Sequence, residues 1–348
     1  MIHSIDFIKK STTRIENTFT NLGIQIIKAI RIHNYGDPNV LNYEEIPIVH
    51  PKAGEVLIRN RAIGVNFVDI YLRKGIFNTP LPFIPGKEGA GDIIAIGEGV
   101  KDFSVGDRVA YIETLGAYAE QTIVPVHFLV PLPDNISYET AAASLLKGLT
   151  ARFLIRQTFQ VKANHILLVH AAAGGVGRIL TQWAKHLGAI IIGTVGSSEK
   201  IRIAKQNGCD YVINYNECDF VTQVKTITHG QGCHVVYDSI GKKTFPGSLD
   251  CLRPFGCFVS FGFSSGLIPP FDILTLLEKG SLYATWPGLT TYLSKRSDVL
   301  SMSKEFFDIV SNNIVKIQSP FQLSLAHAAE AHQRLESRKL TKATVLIP

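Results

Sequence analysis

The stretch HILLVHAAAGGVGRILTQWAKHLG, residues 165–188, decides the fold. It opens with the continuous apolar run Ile166 to Val169, passes through Ala172, Gly174, Gly175 and Gly177, and runs on with apolar residues at helical spacing. The order is strand, tight turn, helix. The turn reads as G-x-G-x-x-G with Ala172 at its first position. Such a turn lets the backbone approach a pyrophosphate, and the helix start supplies free N–H donors and partial positive charge. A glycine-rich turn that only packs a helix on a strand is the plainer alternative, and the context argues against it. The same unit recurs downstream, as AIIIGTVG (189–196), EKIRIAKQNG (199–208), DYVINY (210–215), DFVTQVKTITHG (219–230), HVVYDSIG (234–241), GCFVSFG (256–262) and SLYATW (281–286). Apolar strands alternating with amphipathic helices predict a parallel, doubly wound sheet covered on both faces, over residues 149–286.

Upstream the texture differs. IIKAIRIH (26–33), EVLIRNRAIGV (55–65), GAGDIIAIGEGV (89–100), GDRVAYI (106–112) and GAYAEQTIVP (116–125) are short β-rich runs between turns, which predict a compact antiparallel, barrel-like domain. SYETAAASLLKGLTARFLIRQ (137–157) then reads as a helix capped by Ser137, with Glu139 in its positive first turn. The tail, with a helix in LAHAAEAHQRLES (325–337) and a strand in ATVLIP (343–348), is expected to return to the first domain. Residues 1–27 stand apart as a polar, Ser/Thr-rich extension with Ile5, Phe7, Ile8, Ile15 and Phe19 at roughly helical spacing. They read as a dispensable appendage or a misplaced start, with an amphipathic helix or a targeting peptide as alternatives. The expected division is therefore 1–27, 28–148 completed by 287–348, and 149–286.

Composition narrows the function. The 348 residues carry 35 basic and 29 acidic side chains without a run of five cations, so the net charge of +6 points to an anionic small ligand ahead of nucleic acid. Five cysteines, all from Cys209 onward and without a C-x-x-C pair, suit reduced thiols in a cytoplasmic protein. No apolar run approaches the roughly 18 residues of a membrane span. Beyond the second strand of the doubly wound unit, an NAD-specific site places an acid on the ribose hydroxyls. This strand ends Thr194-Val195-Gly196-Ser197-Ser198, followed by Glu199 and Lys200. The missing acid leaves room for a 2′-phosphate held chiefly by Lys200 and Ser197, and so predicts NADPH.

The sequence resembles the zinc-free medium-chain dehydrogenase/reductases of the quinone oxidoreductase, or ζ-crystallin-like, group. The resemblance rests on GVNFVDIYLRKG (64–75), AAASLLKGLTA (141–151), HAAAGGVG (170–177), GTVG (193–196), VVYDSIG (235–241), VSFGFSSG (259–266) and LESR (335–338), and covers about residues 28 to 348. It implies an α/β chain with a GroES-like β-rich catalytic domain, a Rossmann domain inserted into it, and a homodimer joined at the Rossmann sheet edges. It also implies that Asn66 and Tyr71 orient the nicotinamide and the acceptor, with no assigned proton donor. Thr150, Ala173, Gly174, Gly175, Val176, Tyr215, Ser239, Phe261 and Arg338 are implied to complete the cofactor site. Relatives often carry a polar residue where this chain has Phe263.

Zinc-dependent members of the wider superfamily carry G-H-E and a cysteine cluster, whereas this chain has Gly86-Lys87-Glu88 and no cysteine before Cys209. A lysine cannot replace an imidazole ligand, so no metal is expected. The leading expectation is an NADPH:quinone oxidoreductase. The alternatives are a 2-alkenal or enone reductase and a non-catalytic nucleotide- or RNA-binding protein.

Overall fold

The computed structural model describes residues 26–348 except Val49 and Lys339. β1 (Ile26–Ile32) and β2 (Leu41–Pro47) form an antiparallel ribbon. β3 (Glu55–Gly64), β4 (Glu88–Ile96), β5 (Arg108–Ile112), β6 (Gln121–Pro125) and β7 (Leu129–Pro131) build the first large sheet. A second sheet holds β8 (Ile166–Val169), β9 (Ile190–Val195), β10 (Tyr211–Asn214), β11 (Cys233–Asp238), β12 (Leu252–Ser260) and β13 (Tyr283–Thr285). From the tail, β14 (Phe321–Ser324) and β15 (Thr344–Ile347) rejoin the first sheet, where β15 pairs antiparallel with β3. This is the expected mixed α/β fold.

The second sheet runs β10-β9-β8-β11-β12-β13 with every pair parallel. Its apolar strands serve two cores. In β8, Leu167 and Val169 face a core shared with Ile191, Val235 and Val259, while Leu168 faces the opposite one with Ile192, Val236 and Phe258. Alternate side chains thus point to opposite, equally covered faces, which is why the run shows no polar alternation. Each fully buried side chain of this size contributes about 1.5–3 kcal/mol relative to exposure. The strand order reverses between β8 and β11, and a crevice opens there at the carboxyl ends of the strands.

The Tyr138–Phe153 helix joins the two sheets. Ser137 Oγ accepts the Thr140 N–H at 3.2 Å, as its sequence position predicts. Ala141, Ala142 and Leu145 share one core with Ala62 and Ala90 of the first sheet and with Leu167 and Val169 of the second. The expected boundary at residue 148 falls inside this single helix.

Some elements depart from the sequence reading. β1 begins at Ile26, as the β-rich run 26–33 predicts, with Ile26 opposite Pro47 and Ile27 opposite Ile46, so it is the bound of the extension at residue 27 that cuts into the ribbon. Ile27 is buried against Ala29 and Ala119. Residues 1–25, including the proposed helical spacing, lie outside the described residues. β2 has no signature in the sequence, because its side chains are mostly exposed and show no apolar alternation. The Arg296–Ser311 helix is an addition to the sequence reading, and Val299, Met302, Phe306 and Ile309 form its apolar stripe at a spacing of three to four residues.

Candidate active site

β8 ends in the glycine turn. Ala171 adopts φ +52°, a left-handed conformation that costs a non-glycine residue energy and turns the chain sharply toward the helix. Gly174 caps the Gly175–His186 helix with no side chain, which leaves the first N–H groups open toward the crevice. A Cβ on Gly177 would stand 2.3 Å from the Ala171 carbonyl oxygen, so only glycine permits this approach of helix and turn. The turn after β11 is set by Asp238, whose Oδ1 accepts N–H bonds from Ile240 (2.8 Å) and Gly241 (3.0 Å) and so places Ser239 at the crevice. Asp238 Oδ2 takes the Ser248 hydroxyl at 2.8 Å.

One cavity of about 810 Å³ runs from this crevice to the first sheet. Its lining includes Asn66, Tyr71, Thr150, Ala173, Gly174, Gly175, Val176, Lys200, Tyr215, Ser239, Phe261 and Arg338. Of the residues expected to bind the cofactor, Ser197 is missing from that wall. It occupies the N-cap of the Ser198–Gln206 helix, between Gly196 and Lys200.

At the far corner the cavity is cationic. Lys200 Nζ donates to the Arg338 carbonyl at 2.5 Å, and the Arg338 guanidinium binds the Ser264 carbonyl. Arg178 donates through Nε to the Ala173 carbonyl (2.8 Å) and through Nη1 to Gln318 Oε1 (2.7 Å). Burial holds the Lys200 ammonium below its ordinary pKa, with Arg178 and Arg338 adding to the effect. Crowded cations of this kind are relieved by an anion. Tyr215 lies over the strand end, where a Cβ on Gly196 would stand 2.6 Å from its hydroxyl.

At the other end four aromatic rings meet. Tyr71 stacks on Phe263 with centroids 4.0 Å apart and planes at 15°. Phe77 stands edge-on to both, at 5.8 Å and 6.1 Å, and Trp286 lies 5.6 Å from Phe263. Burial raises the Tyr71 phenol above its usual range. Thr150 spends its hydroxyl hydrogen on the Leu146 carbonyl at 2.8 Å.

Asn66 is held from both sides. It is the N-cap of the Phe67–Arg73 helix, and its N–H donates to Asp69 Oδ2 at 2.8 Å. The same carboxylate oxygen accepts the Tyr118 hydroxyl at 3.2 Å. Burial pushes Asp69 up to about 7. Tyr118 meets His332 Nε2 at 3.0 Å, and Arg73 Nη1 meets His332 Nδ1 at 3.2 Å. Arginine can only donate, so Nδ1 accepts and Nε2 carries the proton that is given to Tyr118. Burial, with Arg73 beside it, holds this imidazole down to about 3, hence neutral. A buried chain of hydrogen bonds therefore runs from the C-terminal helix to Asn66.

Lys87 forms an ion pair with Glu113 at 2.8 Å, and the Thr290 hydroxyl donates to the same Glu113 oxygen at 2.7 Å. Among the described residues no group of three or more His, Cys, Asp or Glu side chains is arranged to hold a metal ion.

This chain matches the family model described as alcohol dehydrogenase GroES-like domain over residues 52–134 and that described as zinc-binding dehydrogenase over residues 175–299. A quinone oxidoreductase of Pseudomonas aeruginosa is 45% identical over 323 residues, spanning 92% of this chain and 99% of its own. The chain belongs to the zinc-free quinone oxidoreductase family of the medium-chain dehydrogenase/reductases. Within that family, the crystal structure of an Escherichia coli quinone oxidoreductase complexed with NADPH superimposes with a TM-score of 0.91 at 43% identity, covering 92% of this chain and all of the other. A 2-haloacrylate reductase of Burkholderia sp is 41% identical over 332 residues, spanning 93% of this chain and 99% of its own.

The residues present fit a nicotinamide dinucleotide: a glycine turn with open helix N–H groups, a cationic corner and an apolar far end share one cavity. Sequence reasoning missed Arg178, Lys147, Glu88 and Trp286. Arg178 follows the glycine turn directly and Lys147 stands in the quoted K-G-L, so their positions were visible while their directions were not.

Proposed function

We propose that this chain is an NADPH-dependent, zinc-independent quinone oxidoreductase. The observation that carries the reading is the cationic corner of Lys200, Arg178 and Arg338, joined by one cavity to the glycine turn and to the aromatic wall. NADPH, when bound, supplies the hydride. Lys200, Arg178, Tyr215 and Arg338 hold the 2′-phosphate, and the glycine helix start holds the pyrophosphate. Asn66 and Tyr71 orient the acceptor, and Phe77, Phe263 and Trp286 keep water from the reacting carbonyl. Catalysis is mainly positioning in a dry cleft. The hydride supplies both electrons and one hydrogen, and a single proton from water completes the hydroquinone, so the chain needs no dedicated acid.

The aromatic wall favours neutral, planar acceptors over anionic ones, because a carboxylate facing these rings loses hydration without gaining a partner. Following NADPH loss with 1,4-naphthoquinone, a 2-alkenal and 2-chloroacrylate tests both this reading and the enone alternative that the Burkholderia relative favours. The quinone is expected to react fastest. Stacked aromatic pairs contribute about 0.5–1.5 kcal/mol, so Phe263→Ala should lower kcat/KM for naphthoquinone about two- to tenfold. Its NADPH dissociation constant should stay unchanged. A faster reaction with either unsaturated alternative would replace quinone reduction by enone reduction. For the non-catalytic alternative, an RNA titration at rising salt decides, since phosphate contacts impose steep salt dependence.

The reading extends to a cytoplasmic homodimer. In support, β13 is an exposed sheet edge, and Phe271, Ile273, Leu274 and Leu277 beside it leave large apolar side chains in solvent. All five cysteines are free thiols, and among the described residues no helix is long and apolar enough to cross a membrane. The mass in sedimentation equilibrium tests the dimer. Residues 28–148 with 287–348, joined by the ribbon residues Ile26 and Ile27, are assigned to the catalytic domain and 149–286 to nucleotide binding, with the Tyr138–Phe153 helix shared across the boundary.

A further inference from the structure

The amide of Asn66 lies between two buried charges. Nδ2 donates to Glu88 Oε2 at 2.8 Å, and Oδ1 accepts from Lys147 Nζ at 2.7 Å. An ammonium can only donate and a carboxylate can only accept, so one orientation of the amide satisfies both neighbours. Turning it over would set oxygen against carboxylate and N–H against ammonium.

The two charges are themselves fixed. Glu88 is wholly buried, its Oε1 accepts the Leu146 N–H at 2.6 Å, and its Oε2 lies 3.6 Å from Lys147 Nζ. Burial raises the Glu88 carboxyl above its usual range, and Lys147 and Asn66 pull it back. The Lys147 stem lies against the head of the glycine helix, where a Cβ on Gly175 would come within 3.0 Å of Cδ. Lys147 also lines the cavity beside Asn66. Among the described residues Glu88 is the only acceptor bonded to Asn66 Nδ2, so none of them takes the second hydrogen of that nitrogen.

We propose that Glu88 and Lys147 are positioning residues that lock the Asn66 amide so that its remaining Nδ2–H is offered to a carbonyl oxygen of the bound reactants. The inference rests on the reading that Asn66 touches the reactants. Glu88 comes from β4 and Lys147 from the helix joining the sheets, so the pair ties the orientation of Asn66 to the seat of the glycine turn.

The test is a double-mutant cycle of Lys147→Met and Asn66→Ala, reading kcat and KM with 1,4-naphthoquinone, the NADPH dissociation constant and Tm. Loss of one oriented hydrogen bond is expected to lower kcat about tenfold in Lys147→Met, with the NADPH dissociation constant nearly unchanged. In the Asn66→Ala background Lys147→Met should have no further effect on kcat, because a residue acting through another loses its effect when that other is gone. An unaltered kcat in the single variant, or effects that multiply in the double one, would overturn the proposal. If Lys147→Met does not fold, the paired Glu88→Gln/Lys147→Met variant removes both charges together. Glutamine can face the amide as donor or acceptor, so kcat should again fall, and a full kcat overturns the proposal. Should the unsubstituted protein reduce a 2-alkenal and no quinone, the quinone reading fails, and the same cycle run with the alkenal still judges the roles of Glu88 and Lys147.

Discussion

Replacing Lys200 by alanine is expected to erase most of the preference for NADPH over NADH, itself expected to be about tenfold or more in kcat/KM. The ammonium is half-buried, bonded to the Arg338 carbonyl and crowded by Arg178 and Arg338. Its free donors have few partners other than an incoming anion. A hydrogen bond to a charged group contributes roughly 1.5–3 kcal/mol, which corresponds to about a 10- to 150-fold change in affinity. The phosphate is remote from the transferred hydride and is bound alike in ground and transition states, so the change should appear in KM and leave kcat nearly alone. NADH kinetics should hardly move. A binding measurement without turnover gives the same answer: 2′,5′-ADP should lose affinity in Lys200→Ala while 5′-AMP should not. An unaltered ratio in the variant would move the phosphate contact to Arg178, Tyr215 or Arg338, and equal use of both cofactors by the unsubstituted protein would sink the assignment.

What the sequence disclosed here follows from sequence distance. The Ile166–Val169 strand, the glycine turn and the following helix are contiguous, and each has a local signature, so the crevice could be placed before any coordinates. Ser137 could be read as a cap for the same reason. The absence of an acid after β9 was also readable, but the approach of Tyr215 was not, because it lies 19 residues beyond Gly196 and reaches back over it. The aromatic wall draws on Tyr71, Phe77, Phe263 and Trp286, from both sides of the cleft. Phe263 stood out as unusual, yet its partners depend on how the sheets pack. Lys147 and Glu88 are harder still. A buried lysine and a buried glutamate look like surface residues in a sequence, and only their convergence on Asn66 gives them meaning.

Gly177→Ala should damage the protein most, and for a reason unrelated to helix preference. Alanine is the better helix former by about 0.8–1.0 kcal/mol, so in an open helix this change would stabilise. Here the added Cβ would lie 2.3 Å from the Ala171 oxygen and 2.9 Å from the Ala172 Cα. Both neighbours are backbone, so no side chain can rotate away. Ala171 already sits at φ +52°, which leaves the turn little freedom to yield, and the helix must back away from the end of β8. Overpacking of this kind costs about 1–3 kcal/mol, and Tm should fall despite the better propensity. The larger effect is on binding. Retreat of the helix start withdraws N–H donors from the crevice, and losing two charge-assisted bonds, about 3 kcal/mol or more together, weakens NADPH binding roughly 100-fold or more. NADPH and NADH should suffer alike, because both carry the pyrophosphate, which separates this variant from Lys200→Ala. Isothermal titration with each cofactor reads the difference, and full affinity with a lowered Tm would mean that the pyrophosphate is seated elsewhere than on this helix.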